Sequence, residues 1–148
     1  MRKIYFLKNL AQTEKMAKDI VGLLRGGEIL ALVGDLGSGK TTFTQFLAKE
    51  LGVKENVTSP TFVLMKKYKI EKLRKQKNKK IKRYLYHLDA YRLSSPDEAL
   101  DLGLEEIWSD PKNITVIEWA DRIADILPEK RIEIAFSLEK ERKVMVNF

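Results

Sequence analysis

The sequence predicts an α/β fold: a three-layer sandwich with helices on both sides of a mixed parallel and antiparallel central sheet. Three observations carry that expectation. Residues 29–33 (Ile-Leu-Ala-Leu-Val) form a continuous apolar run of strand length, followed by a glycine-rich turn and an apolar-periodic segment. This is the order of a buried strand leading through a loop into a helix. Residues 114–119 (Ile-Thr-Val-Ile-Glu-Trp) repeat the apolar run behind a turn at Asp110-Pro111-Lys112-Asn113,. Alternating segments at 83–90, 131–138 and 143–146 add further strands, the last two as a hairpin around Glu139-Lys140-Glu141-Arg142,.

Taken in order, Lys3 to Leu7 is the first expected strand. Thr13 is the expected N-cap of a helix whose apolar face is Met16, Ala17, Ile20, Val21 and Leu24, running to about Arg25 and ended by Gly26-Gly27,. The strand 29–33 leads into a second helix with Phe43, Phe46, Leu47 and Leu51 on one side and Gly52 at its end,. Phe62, Val63, Leu64, Met65 and Tyr68 suggest a strand, and Arg83 to Ala90 another. In the latter, alternation puts Leu85, His87 and Asp89 on one face,. Ser95-Pro96-Asp97-Glu98 reads as a helix start, with Ser as N-cap, Pro at the first helical position and Glu at the third,. That helix reaches Gly103, and Leu104 to Trp108 and Asp121 to Leu127 are short helices.

At 148 residues the chain is expected to be one domain, 1–148, large enough for a substantial core,. No apolar run is long enough to cross a bilayer, and the N-terminus lacks the apolar core of a signal peptide, so a cytoplasmic protein without a membrane partner is expected,. The absence of cysteine excludes disulfides, thiolate metal sites and thiol catalysis and fits a reducing compartment,. A single His excludes a His-rich metal centre,. The net charge of +7 is uneven: residues 66–83 hold eleven Lys or Arg and one Glu, a local +10, so the rest of the chain carries −3. This Lys-rich hairpin or loop insertion reads as a solvated charged segment or as an electrostatic contact to RNA phosphate. Among 69–82 no aromatic interleaves the lysines, so base stacking finds little support there,.

Gly34, Gly39, Lys40 and Thr41 fit the spacing G-x-x-x-x-G-K-[ST], the phosphate-binding loop, in the required strand–loop–helix context,. The fold expectation is therefore of the P-loop NTPase type. Gly34, Gly37 and Gly39 let the backbone curl until several N–H groups converge on one anion, and the helix N-terminus adds partial positive charge there. Lys40 is expected at the β- and γ-phosphates and the Thr41 hydroxyl on Mg²⁺. Further along, the hydroxyl-bearing loop Ser59-Pro60-Thr61 reads either as an ordinary loop between a helix and a strand or as the loop with which such enzymes often sense the terminal phosphate. Asp89 ends one strand and Glu118 another, and parallel strands put such carboxylates on the edge that holds the loop. His87 reads as a packed, hydrogen-bonded strand residue rather than a catalyst. Trp119 reads as core or rim packing.

Four blocks in this order resemble the TsaE (formerly YjeE) family: residues 34–42 (Gly-Asp-Leu-Gly-Ser-Gly-Lys-Thr-Thr), Ser59-Pro60-Thr61, His87 to Leu93, and Ile117-Glu118-Trp119. The resemblance covers nearly the whole chain. It implies a small Mg²⁺-dependent ATPase needed for threonylcarbamoyladenosine formation at position 37 of tRNAs reading codons that begin with A. TsaD and TsaB homologues are the implied partners, TsaD performing the transfer. Lys40 and Thr41 would bind phosphate and Mg²⁺, with Asp35, Leu36, Ser38 and Thr42 completing the loop. Ser59 and Thr61 would form a first switch and Asp89 a second, beside Tyr91 and Arg92. Glu118 would sit at the metal, Trp119 would matter for activity, and Thr13 would lie near the adenine edge. Lys40, Asp89 and Glu118 are the catalytic candidates. The Lys-rich segment is longer and more basic than the family's usual connection, and Ser38 and Ala90 replace a usual Ala and Leu.

Three rivals share the loop. A small-molecule kinase needs an Arg-bearing lid and an acceptor pocket, for which Arg92 and Arg122 are the candidate arginines. A GTPase needs a guanine-reading Asn-Lys-x-Asp, absent here, since Asn78-Lys79 runs into Lys80-Ile81. A nucleotide-gated binding module would signal by conformation with little free hydrolysis.

Overall fold

The computed structural model describes residues 1–60, 64–73 and 80–148. The chain order is β1 (Arg2–Phe6), α1 (Leu10–Val21), β2 (Ile29–Val33), α2 (Lys40–Glu50), β3 (Met65–Ile70), β4 (Arg83–Asp89), α3 (Pro96–Asp101), α4 (Leu104–Ser109), β5 (Asn113–Glu118), a 3-10 segment (Ala120–Ile126), β6 (Ile132–Ser137) and β7 (Lys143–Asn147). The strands form one sheet in the order β1-β7-β6-β2-β5-β4-β3. The four central strands are parallel, and β1, β7 and β3 are antiparallel to their neighbours. The expected mixed sheet is observed.

Alternation along β2 divides the core into two. Leu30 and Leu32 point to the side of α1 and α2, where they meet Met16, Ile20, Phe43 and Leu47. Ile29 and Ala31 point to the other side, with Ala99, Leu104 and Ile123. This gives the three layers: two helices, the sheet, then α3, α4 and the 3-10 segment. Every residue of β5 is buried, as a central parallel strand requires,.

Several boundaries differ from expectation for local reasons. Asn9, not Thr13, caps α1: its side chain accepts from the Gln12 N–H at 3.0 Å. Thr13 is instead buried one turn inside the helix, at 4% exposure. The helix stops at Val21, capped by Gly22, short of Arg25. Ser95 is the N-cap of α3 with Pro96 following, but its side chain makes no capping bond, and Glu98 takes the hydroxyl of Ser94 instead.

Helix α2 ends as its glycine predicts. Gly52 has φ +75, its N–H meets Lys49 O at 3.0 Å, and Val53 N–H meets Ala48 O at 3.0 Å. This left-handed closure satisfies two terminal carbonyls. The Lys-rich stretch begins in the same place. Glu71 and Lys72 N–H both bond Leu51 O, and Ile70 and Leu73 are buried in the core. Its first residues, to Ile70, belong to β3 and its last, Arg83, opens β4, so its two described ends lie on an antiparallel hairpin. Residues 74–79, and the expected strand residues Phe62 and Val63, lie outside the described residues.

Candidate functional site

The loop between β2 and α2 sits at the C-terminal edge of the parallel strands. Its glycines take left-handed or otherwise positive φ values, +148 at Gly34, +76 at Gly37 and +107 at Gly39. At Gly34 a side chain has no room: a Cβ would lie 2.8 Å from Phe136 O and 2.9 Å from Phe136 Cβ. Strand β6 therefore presses directly on the first turn of the loop.

Lys40 opens α2, and its ammonium curls back into the loop. It donates to Gly34 O at 2.5 Å and Asp35 O at 2.9 Å, and stands 3.4 Å from Ser38 Oγ. It also lies 4.2 Å from the centroid of the Trp119 ring. Burial holds its pKa below the ordinary lysine value, and Glu118, Asp89, Asp121 and Asp35 oppose that shift,.

Glu118 closes β5 and is 2% exposed. Thr41 Oγ1 donates to its Oε1 at 2.7 Å, and His87 Nε2 meets its Oε2 at 2.5 Å. His87 is itself fully buried, and its Nδ1 has no partner. The pairing of β4 with β5 sets this arrangement: Asp89 lies opposite Glu118 and His87 opposite Val116. Alternation then brings His87, Asp89 and Glu118 to the α1–α2 side.

Asp89 accepts from Ser59 Oγ at 3.1 Å and from the Tyr91 N–H at 2.9 Å. Trp119 follows Glu118 with φ +57, the sole non-glycine positive φ among the described residues. Such a backbone costs a bulky residue about 1–2 kcal/mol. It turns the chain at the strand end so that the indole covers the loop. Tyr91 packs on it with ring centroids 4.9 Å apart, and the Arg122 guanidinium lies 5.0 Å from the Tyr91 ring.

Lys40, Thr41, Asp89, Tyr91, Glu118 and Trp119 face a common cavity of about 370 Å³. Of the residues expected at the site, Leu36, Gly37, Ser38, Gly39, Lys40, Thr41, Thr42, Ser59, Asp89, Tyr91, Arg92, Glu118 and Trp119 line it. Gly34 and Asp35 contribute the carbonyls that hold Lys40. Thr13 does not line it; it is enclosed in α1. Thr61 lies outside the described residues. Sequence reasoning missed Pro60 and Leu64 as wall residues, and Arg142, which reaches the cavity from the turn before β7. No local pattern marks Arg142, because only the β6–β7 pairing carries it there. His87 is packed and hydrogen-bonded, as its place in the strand predicts, but its partner follows from strand register alone.

The arrangement fits a divalent cation carried with a polyphosphate. Neighbouring oxygens of an octahedral Mg²⁺ site, with bonds of 2.0–2.1 Å, stand roughly 2.9 Å apart. Thr41 Oγ1 and Glu118 Oε1 are 2.7 Å apart. Among the described residues no cluster of three or more His, Cys, Asp or Glu could hold a metal. A cation here would therefore draw its other ligands from phosphate and water.

Comparison with known proteins adds a family. The model of the "Threonylcarbamoyl adenosine biosynthesis protein TsaE" family matches residues 7–144. The chain is 39% identical to the tRNA threonylcarbamoyladenosine biosynthesis protein TsaE of Bacillus subtilis (strain 168), over 85% of this chain and 72% of that protein. It is 37% identical to the protein of the same name from Rickettsia bellii, over 95% of this chain and 90% of that one. The crystal structure of Bacillus subtilis YdiB superposes with a TM-score of 0.72 at 30% identity, covering 99% of this chain and 84% of that one.

Proposed function

The chain belongs to the TsaE family, and on that premise we propose that it binds and hydrolyses ATP with Mg²⁺, in service of threonylcarbamoyladenosine formation at position 37 of tRNAs reading ANN codons. TsaD and TsaB homologues are the partners in this reading, and the nucleotide cycle resets their complex. The single observation that carries the nucleotide assignment is the Thr41–Glu118 contact of 2.7 Å beneath a glycine-lined loop. It pairs a neutral hydroxyl with an acid at the one place where a metal-bound phosphate needs both.

The residues divide the work. The loop N–H groups and the N-terminus of α2 take the β-phosphate. Lys40, freed from the Gly34 and Asp35 carbonyls, takes the β- and γ-oxygens, trading neutral acceptors for charged ones,. Thr41 and Glu118 would hold the Mg²⁺. When bound, the ion neutralises charge on the terminal phosphates. His87 holds the Glu118 carboxylate by its second oxygen, which fixes the orientation of the first,. Asp89, joined to Ser59, links the two switch loops and is placed to orient the attacking water. Trp119 and Tyr91, packed against each other, line the cavity beside Lys40. The Lys-rich hairpin offers a positive face to RNA phosphate.

Lys40→Ala, prepared as the full chain, should retain the fold by circular dichroism, lose ATP turnover and fail to support tRNA modification with TsaD and TsaB homologues. Full modification by that variant would refute the assignment. Co-purification with those homologues, with and without ATP, tests the partnership.

A further inference from the structure

We infer that Tyr84 and Tyr86 form a stacking platform for unpaired bases of RNA, with Lys67 and Lys69 holding the flanking phosphates. This rests on the reading of the β3–β4 hairpin as an RNA contact, and it names the form of RNA and the residues that take it. Along the chain no aromatic interleaves the lysines of 69–82, which argues against stacking. Strand pairing reverses that. In the antiparallel register Lys67 lies opposite Tyr86 and Lys69 opposite Tyr84, so aromatics and cations are interleaved across two strands instead of along one. Tyr68, Ile70 and Leu85 belong to the core on the α1–α2 side. Alternation therefore sends the two lysines and the two tyrosines to the opposite face. The core on that face takes Leu88, with Met65 packed against it. Tyr84 and Tyr86 stand outside that core, nearer the hairpin tip, and are half-buried.

Chemistry selects the occupant. The Lys67 ammonium lies 4.0 Å from the centroid of the Tyr84 ring and 5.8 Å from that of Tyr86, so the cation and both rings form one cluster. Lys67 is exposed, and among the described residues no carboxylate pairs with it. Lys69 is exposed too, and its acid partner is Glu71, at a loose 3.9 Å. A base gains the ring when Lys67 swings to a phosphate, because stacking on an aromatic side chain outweighs an exposed cation–π contact. The surrounding charge favours a polyanion over a peptide: residues 66–83 carry eleven Lys or Arg against one Glu. The bases of a duplex are closed within their own stack, and their faces become available in loops, bulges and single strands. Strand β3 is the last of the sheet, so no further strand blocks the path of the RNA. Neither tyrosine lines the nucleotide cavity, so the two sites are separate.

The test follows fluorescence anisotropy of a labelled short oligoadenylate and of an RNA duplex with the same number of phosphates, using the full chain, with thermal melts to check the fold. The wild type should prefer the oligoadenylate. Tyr84→Leu with Tyr86→Leu keeps apolar bulk but removes the rings; it should weaken the oligoadenylate by about tenfold per ring, with the salt slope and the duplex affinity unchanged. Tyr84→Phe with Tyr86→Phe should bind as wild type. Lys67→Gln with Lys69→Gln should lower the salt slope for the oligoadenylate. Photocrosslinking of the wild type to a thiouridine-containing strand, mapped by mass spectrometry, should label Tyr84 or Tyr86, and this readout stands even where the leucine pair does not fold. Unchanged oligoadenylate binding by the leucine pair, an equal loss for the duplex, or crosslinks confined to other residues each overturn the inference; with a lowered slope in the glutamine pair, the plain phosphate contact survives. A leucine pair that binds RNA as wild type but no longer co-purifies with TsaD and TsaB homologues would make this face a protein-docking surface, which also overturns it. A wild type that binds neither probe would sink the underlying reading of RNA contact.

Discussion

Two residues at the site carry consequences that reach solution measurements. Burial lowers the pKa of Lys40, and phosphate binds its protonated form. Its charge is therefore lost, as pH rises, before that of an ordinary lysine. Nucleotide affinity should accordingly fall with rising pH below 10.5, the unperturbed lysine value. In the free chain the sign for stability is opposite. The unfolded lysine holds its proton to higher pH than the folded one, so stability attributable to Lys40 rises with pH between the two values. Dissociation constants and melting curves measured across alkaline pH should move in opposing directions. His87 is the second residue. His87→Ala removes the partner of a buried carboxylate and leaves a void, which should cost about 2–4 kcal/mol in denaturant unfolding. It should also lower turnover more than nucleotide affinity, because the Thr41 hydroxyl and loop donors remain.

At the scale of elements, two glycines show how packing and backbone conformation divide a cost. Gly37→Ala meets nothing within 4 Å, so its penalty is the left-handed backbone alone, about 1 kcal/mol. Gly34→Ala meets both the backbone oxygen and the Cβ of Phe136. It should force β6 from the loop and cost several-fold more, with nucleotide binding lost. Paired melts of the two variants check this ordering. The β3–β4 hairpin makes a similar point for the Lys-rich stretch. Ile70 and Leu73 are core residues, so excising the segment would unfold its base and report nothing about RNA. The informative variants are the exposed lysines. Lys67 lies 4.0 Å above the Tyr84 ring and pairs in register with Tyr86. Lys67→Gln with Lys69→Gln should lower the salt slope of tRNA binding by about 0.7–0.9 per lost phosphate contact. An unchanged slope in filter binding would end the proposal of RNA contact by this face.

For the whole molecule, the cavity is the place where the proposed nucleotide would couple to folding. Its walls come from the β2–α2 loop, the ends of β4 and β5, the segment around Ser59 and the β6–β7 turn. A ligand bound there ties together elements distant in the chain. ATP with Mg²⁺ at about a hundred times its dissociation constant should add about 2.7 kcal/mol to the stability of the folded state. For a chain of this size the melting temperature should rise by roughly 5–10 °C. A melt unmoved by saturating nucleotide would contradict the proposed function. No helix among the described residues is long and apolar enough to cross a membrane.

The sequence alone determined the layered α/β plan and the glycine-rich loop between β2 and α2, because both are written in local periodicity and in fixed spacing. Apolar runs at 29–33 and 114–119 form strands, and between Gly34 and Thr41 the glycines stand where the loop takes positive φ. It also carried the terminal hairpin and the glycine stop at Gly52. It misjudged the cap of α1, where Asn9 and Thr13 are both able acceptors and the burial of Thr13 decided between them. Only the tertiary structure decided which acid meets which hydroxyl, because Thr41 and Glu118 are joined by sheet order rather than by any short-range signal. The same holds for His87 behind Glu118, for Trp119 over Lys40, and for Arg142, whose place at the loop exists only once β6 lies beside β2. Local rules fix what a segment is, and the burial of both sheet faces fixes what it stands next to.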